Sequence, residues 1–341
     1  MKNIIRTTII LILISIALGN FVQTGYYLIR PGSAESLGDR VRVEGKARTE
    51  EGQFFMVTVA QQKANLWHFL YAVFNPVFDL RPVSHVIPPG MSFEEYNRIM
   101  QSWMQDSKYL AQVIALQKAG YEVVIASDGV EVKDIIPGSP AEGILKAGDI
   151  IKAVGSEDVY LAEEVVNMIQ AKEIGQSVTL MIQRGEALMD VVVNTTSHME
   201  QPKKAALRIY VSTLNWQPIL PVAIDIETGP VVGPSAGVMF VLEILDRFVP
   251  ENLTGGKTIA GTGTINLEGN IGGIGGVKQK VVTAEQMGIE YFLTPEENYE
   301  EASRAARQIE IVSVRNLDEV LAFLHDFRSP VPHETNRRER S

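Results

Sequence analysis

Cysteine is absent from all 341 residues. Its absence excludes disulfides, thiol nucleophiles and thiolate metal sites, and fits an exported protein that manages without disulfides. Histidine is scarce, and His68, His85, His198, His325 and His333 are scattered with no metal-ligand spacing. Positive charge is also in short supply. With 31 Lys and Arg against 41 Asp and Glu the net charge is −10, so the chain lacks the excess of basic residues from which a phosphate-binding face is built, and nucleic acid is not expected as a partner. No complete phosphate-loop motif occurs. Gly255-Gly256-Lys257-Thr258 imitates the end of one, but Glu251 stands where its first glycine belongs. The Gly-rich run at 269–276 likewise lacks the strand, the spacing and the acidic partner of a dinucleotide site. No cofactor, metal or nucleotide dependence is expected.

Charge is missing altogether from Thr7 to Ile29, a run built around Ile9-Ile10-Leu11-Ile12-Leu13-Ile14. A helix needs roughly 20 apolar residues to cross a bilayer, and this run supplies them. Lys2 and Arg6 precede it, which places the N-terminus in the cytoplasm and everything after Arg30 outside. Ala17-Leu18-Gly19 offers small residues to a signal peptidase, so a cleaved signal peptide is the competing reading. The continuation through Phe21, Val22 and Tyr26-Tyr27-Leu28-Ile29, at interface-like positions, favours a retained transmembrane anchor over residues 1–30. Both readings export the rest of the chain.

Past the anchor, Arg40–Gly45 and Phe54–Ala60 read as strands and Asn65–Asn75 as a short helix. Pro82, Pro88, Pro89 and Gly90 punctuate the chain. Ser92 and Glu95 then form a capping box for a long helix to Ala119. Its apolar positions, among them Tyr96, Met100, Trp103 and Met104, recur at helical spacing and predict packing onto a neighbouring domain. Residues 31–119 are therefore expected to be a mixed α/β link between the anchor and the next domain.

From Gly120 the texture changes to short strands and tight turns. A strand from Val130, the turn Pro137-Gly138-Ser139-Pro140, and Ala147-Gly148-Asp149-Ile150-Ile151 feeding another strand resemble a PDZ domain over residues 120–200. The helix Ala162–Ala171 and strands at Ser177–Gln183 and Leu188–Val193 complete the module. PDZ domains bind extended peptides beside a sheet edge. The resemblance implies a groove between Tyr121–Ile125 and the helix, with Tyr121, Val123, Val165 and Ile169 as binding residues. The apolar-Gly-apolar carboxylate loop of the family has only Ala119-Gly120-Tyr121 as its counterpart. Core packing is the other reading of Val165 and Ile169.

Pro221–Ile226 reads as a strand, Thr228–Pro234 as a loop, and Ala236–Leu245 as a buried helix. Ser235 thus falls at a helix N-terminus, where free N–H groups and the positive dipole end stabilise a developing oxyanion. A plain N-cap serine is the alternative. Lys278 comes after Gly269–Gly276 at the start of a second helix beside Val277, Val281 and Val282. Desolvation there lowers a lysine toward the neutral form that a general base needs. Lys280, two residues on, points elsewhere and reads as a solvated charge.

Thr228–Gly237, Gly261–Lys280, Ala284–Ile289 and Thr294–Asn298 together resemble the proteolytic domain of Lon peptidases over residues 203–328. The resemblance implies Ser235 as nucleophile, Lys278 as base and Thr262 as an assisting hydroxyl. Val232 stands where the family commonly has an acidic residue. The whole arrangement is an α+β multidomain chain with an N-terminal transmembrane helix, a β-rich PDZ-like domain and a Lon-type α+β domain, then a basic tail at 329–341 expected to be disordered. It resembles the membrane-anchored PDZ-Lon peptidases. That implies ATP-independent cleavage of unfolded or membrane-tethered proteins presented by the PDZ groove, and a homo-oligomeric ring of six.

Two other readings compete. Gly233-x-Ser235-x-Gly237 also fits the nucleophile elbow of α/β-hydrolases, with Asp318 and His325 as nominal partners, although those two share one C-terminal helix. A non-catalytic membrane scaffold working through its PDZ domain is the second. The presence of Ser235, Lys278 and Thr262 together weighs against it.

Overall fold

The computed structural model describes residues 6–7, 10, 18–47, 51–87, 91–198, 202–250 and 252–327. Residues 1–5, 8–9 and 11–17 of the expected membrane anchor, and the C-terminal tail, lie outside the described residues. No helix among the described residues is long and apolar enough to cross a membrane. The chain divides into two units. One is Met1–Glu122 with Pro221–Ser341, and the other is Val123–Leu220.

The first unit opens with strand β1 (Gln23–Ser36), then β2 (Val41–Val43) and β3 (Gln53–Asn65). Helix α1 (Leu66–Phe74) comes next, its N-cap Asn65 accepting from the His68 N–H. Tyr27, Leu28 and Ile29 are buried in β1, which pairs antiparallel with β3 and with β4 (Asp79–Pro82). This corrects the expected anchor boundary, because Gln23 to Ile29 form a strand within the sheet of this unit. Burial in a sheet and burial in lipid both select uncharged residues, so the sequence does not separate them. Helix α2 (Phe93–Lys118) has the expected capping box, with Ser92 accepting from the Glu95 N–H and the Glu95 carboxylate from the Ser92 N–H.

The second unit has strands β5 (Val124–Ala126), β6 (Val130–Ile135) and β7 (Ile150–Val154), then helix α3 (Ala162–Gln170). Strands β8 (Ser177–Arg184), β9 (Ala187–Asn194), β10 (Ile209–Thr213) and β11 (Gln217–Ile219) complete it. The antiparallel order is β9-β8-β7-β6-β10, with β10 at the edge, while β5 pairs with β11. Its core, built on Val130, Val132, Leu145, Ile151, Leu180 and Ile182, also takes in Val165 and Ile169 of α3.

The chain then returns to the first unit. Strand β12 (Ile224–Ile226) pairs with β2, and the fully buried helix α4 (Gly237–Asp246) comes after it. Next are β13 (Thr258–Gly261), helix α5 (Val277–Gln286), β14 (Tyr291–Pro295), helix α6 (Tyr299–Ala305), β15 (Glu310–Val314) and helix α7 (Leu317–Asp326). The sheet order is β15-β14-β13-β3-β1-β4. Strands β15, β14, β13 and β3 run parallel, and their near-continuous apolar runs suit strands covered on both faces. Residues 31–119, read from the sequence as a link, are therefore part of this unit together with residues 23–30. They supply half of the sheet, and α2 packs on α4 within the same unit. The expected boundaries at 31–119, 120–200 and 203–328 move accordingly.

Candidate active site

Ser235 lies one residue before Ala236, the N-cap of α4. The serine is therefore not the cap, and its hydroxyl is left for another partner. The turn that presents it is held from two sides. The Gly233 N–H donates to the Met100 carbonyl at 3.0 Å, and the Ser107 hydroxyl donates to the Pro234 carbonyl at 3.2 Å, both contacts made by α2. Gly237 lets α2 come this close, since a Cβ there would fall 2.9 Å from Ser107 Oγ and 3.1 Å from Ile265 Cγ2.

The partner of Ser235 is Lys280. Its Nζ is 2.7 Å from Ser235 Oγ and 2.8 Å from Thr262 Oγ1. Thr262, fully buried, donates its hydroxyl to the Ser235 carbonyl at 2.9 Å, which leaves its oxygen to accept from Lys280. Gly263 N–H donates to the same carbonyl at 2.8 Å. Lys280 is 3% exposed, and burial pulls its pKa from 10.5 to about 7.

Lys278 does not meet Ser235, which corrects the lysine read from the sequence. Its Nζ lies 2.6 Å from Asp79 Oδ1 and 2.9 Å from the Pro76 carbonyl. Gln279 donates to Asp79 Oδ2 and to the Val77 carbonyl, so the Asp79 carboxylate holds the start of α5 against β4. The reason is helix geometry: two residues turn the helix by about 200°, which sends Lys278 and Lys280 to opposite faces. Val277, Lys280, Val281 and Ala284 have the spacing of one inward face, and all four are buried. That spacing is the sequence signal that distinguishes the two lysines.

Ser235 and Lys280 open on a cavity of about 660 Å³. Its walls include Tyr27, Ile29, Val57, Val59, Tyr96, Met100 and Val231, with Arg81, Glu35 and Arg40 as charged groups. Glu35 and Arg40 pair with each other. Much of this wall comes from residues before 105, to which the sequence reading gave no part in the site. Asp318 pairs with Lys118, and neither Asp318 nor His325 lines the cavity. Lys257 of the imitation phosphate loop pairs with Glu290 at 3.0 Å. Among the described residues no group of histidines and carboxylates is arranged to hold a metal.

The second unit carries its own groove, about 380 Å³, between α3 and residues 205–211. Val165 and Ile169 line it, together with Val166, Leu207, Ile209 and Val211. Tyr121 and Val123, the other two expected groove residues, do not. Tyr121 belongs to the first unit and stacks edge-on against Phe248. The strand beside α3 is β10, from the far end of the unit. Ahead of it, Arg208 takes a left-handed φ of 53° between Leu207 and Ile209. A non-glycine residue in that conformation is uncommon, so the turn carries no glycine to announce it.

Comparison with known proteins finds a match to each of two segments of the chain. Residues 213–325 match the Lon protease (S16) C-terminal proteolytic domain, and residues 113–195 match the PDZ domain. The Lon protease of Rickettsia felis is 38% identical over 98 residues, 27% of this chain and 12% of that protein. The Lon protease of Roseiflexus castenholzii is 36% identical over 96 residues, with the same two coverages. The chain thus spans about an eighth of the length of these curated relatives. Among solved structures, the PDZ domain of the SdrC-like protein from Listeria monocytogenes is 22% identical, covering 25% of this chain and 90% of that one with a TM-score of 0.24. A Geobacillus thermodenitrificans protein solved in solution is 26% identical, covering 24% and 94% with a TM-score of 0.23. The domain that carries Ser235 and Lys280 is thus of the Lon serine-peptidase class. With a PDZ domain in the same chain, the architecture is that of a PDZ-Lon peptidase.

Proposed function

We propose that the chain is an ATP-independent serine endopeptidase in which Ser235 attacks the substrate carbonyl and Lys280, not Lys278, is the general base. The observation that carries this reading is the 2.7 Å contact of a buried lysine Nζ with Ser235 Oγ. Neutral Lys280 accepts the Ser235 proton as Oγ attacks, then returns it to the leaving amine. An acyl-enzyme remains, and the same lysine takes a proton from the water that hydrolyses it. The N-terminal end of α4 turns its positive dipole end toward the oxyanion. Thr262 accepts from the lysine and so turns its lone pair toward Ser235. The incomplete phosphate-loop motif supports independence from nucleotide.

In this reading the groove beside α3 receives a peptide as an added strand on the β10 edge. The turn at Leu207-Arg208-Ile209 supplies the apolar, left-handed, apolar pattern suited to a terminal carboxylate. With Gln23 onward in β1, the uncharged run left to hold the membrane is Thr7 to Val22, and substrates are exported or membrane-tethered proteins, cleaved outside the cytoplasmic membrane.

The test is digestion of an unfolded protein without nucleotide by wild type, Ser235→Ala, Lys280→Ala and Lys278→Ala, read by mass spectrometry of the products. Cleavage by wild type and Lys278→Ala only is the expected result. Cleavage by Lys280→Ala, or its loss in Lys278→Ala with the fold intact, would overturn the assignment.

A further inference from the structure

Helix α1 reads Leu-Trp-His-Phe-Leu-Tyr-Ala-Val-Phe and carries no Lys, Arg, Asp or Glu. Of its nine residues only Ala72 is fully buried. Leu70, Tyr71, Val73 and Phe74 are exposed, Phe74 at 84%. Leu70, Tyr71 and Phe74 keep helical spacing, so they form one outward stripe. A contiguous apolar face of this kind on a protein surface marks an interaction site.

The neighbours of the stripe indicate its occupant. The described end of the uncharged N-terminal run packs on this helix: the Leu66 N–H donates to the Val22 carbonyl at 3.0 Å, and Asn65 Nδ2 donates to Asn20 Oδ1 at 3.2 Å. Gly19 lies flat against the Trp67 indole, where a Cβ would overlap the ring. Phe21, 82% exposed, and Val22 extend the apolar surface. Aromatic and aliphatic side chains at the foot of an uncharged run are the chemistry of a bilayer interface.

We propose that the outer face of α1, with Phe21 and Val22, seats on the lipid surface and holds the catalytic unit against the membrane. The inference rests on reading the uncharged run as an anchor.

The test uses the full chain, whose lack of cysteine allows single labels. Phe74→Cys and, as an exposed control on the same unit, Met287→Cys each carry an environment-sensitive fluorophore. Both are reconstituted with vesicles of phosphatidylcholine and phosphatidylglycerol, with peptide cleavage confirming the fold. The label at 74 is expected to shift to the blue, to be quenched by nitroxide-labelled lipid and to lose most of its quenching by aqueous iodide. The label at 287 is expected to remain open to iodide. A chain that floats with the vesicles while position 74 stays as open to iodide as 287 overturns the proposal and leaves the anchor standing. Failure to float overturns both. Shielding at 74 that grows with protein density and gives excimer emission from a pyrene label assigns the face to a second copy of the chain, and equally overturns a lipid seat.

Discussion

Replacing Lys280 by methionine is expected to abolish cleavage and stabilise the catalytic unit in the same step. The lysine is buried, and desolvation lowers its pKa from 10.5 to about 7. An unfolded lysine keeps its proton up to about 10.5, so between the two values the unfolded chain binds more protons than the folded one. Stability therefore rises with pH from about 7 to about 10.5, and the unfavourable contribution is fully present below about 7. The gap corresponds to about 5 kcal/mol. Against this, methionine forfeits the hydrogen bonds to Ser235 and Thr262, each worth about 1 kcal/mol. The balance at neutral pH is about 3 kcal/mol in favour of Lys280→Met, a rise of roughly 5–10 °C in the unfolding midpoint of that unit. In wild type the same group sets an acid limb in kcat/KM, with midpoint about 7 and a tenfold fall per pH unit below it. Calorimetry of the two proteins and a pH series on a fluorogenic peptide test both halves. A less stable methionine variant, with a wild-type limb near pH 10, would refute the buried neutral lysine.

Lys278→Ala breaks a half-buried ion pair with Asp79 and is expected to destabilise by about 1 kcal/mol while leaving the acid limb in place. Asp79→Asn is expected to do more, because it also disturbs Gln279; denaturant titration ranks the two. Thr262→Val keeps the shape and removes the hydroxyl that orients Lys280, so kcat is expected to fall roughly tenfold to a hundredfold with KM little changed. Val166→Asp places a charge in the groove beside α3, where the native side chain is 40% exposed. It is expected to weaken binding of a C-terminal peptide in fluorescence titration without changing cleavage of a short soluble one.

The proposed nucleophile and the helix starts were legible where local rules fix them. Ser235 stood out through its glycine-flanked turn ahead of a buried helix, and Ser92 with Glu95 announced α2. Lys280 was obscured because a lysine is ordinarily solvated, and the sequence reading weighed its charge above its helical phase with Val277 and Ala284. The groove strand was obscured for a different reason. Strand β10 lies some forty residues beyond α3 in the chain, and the marker of the turn ahead of it is a left-handed Arg208 where a glycine is expected. Least legible was the sheet of the catalytic unit. Register between Phe54 and Ile259 is a long-range fact, and a run such as Tyr26–Ile29 satisfies a buried strand as well as a membrane boundary.

That long-range pairing makes the start of the chain a catalytic matter. A soluble version beginning at Pro31 removes Tyr27, Leu28 and Ile29, all buried, together with the β1 residues that pair with β4. Burial of such side chains contributes about 1.5–3 kcal/mol each. Their joint loss, about 6 kcal/mol, is comparable to the whole stability of a domain. Strand β4 then has no partner at Leu80 and Arg81, and Asp79 can no longer position the start of α5 two residues from Lys280. A version beginning at Asn20 keeps all of β1 and the Val22 contact to α1. Cooperative unfolding and peptide cleavage are expected for the Asn20 version, and neither for the catalytic unit of the Pro31 version. An active Pro31 version with an undiminished melting transition would show that the Gln23–Arg30 part of β1 is dispensable to the active site.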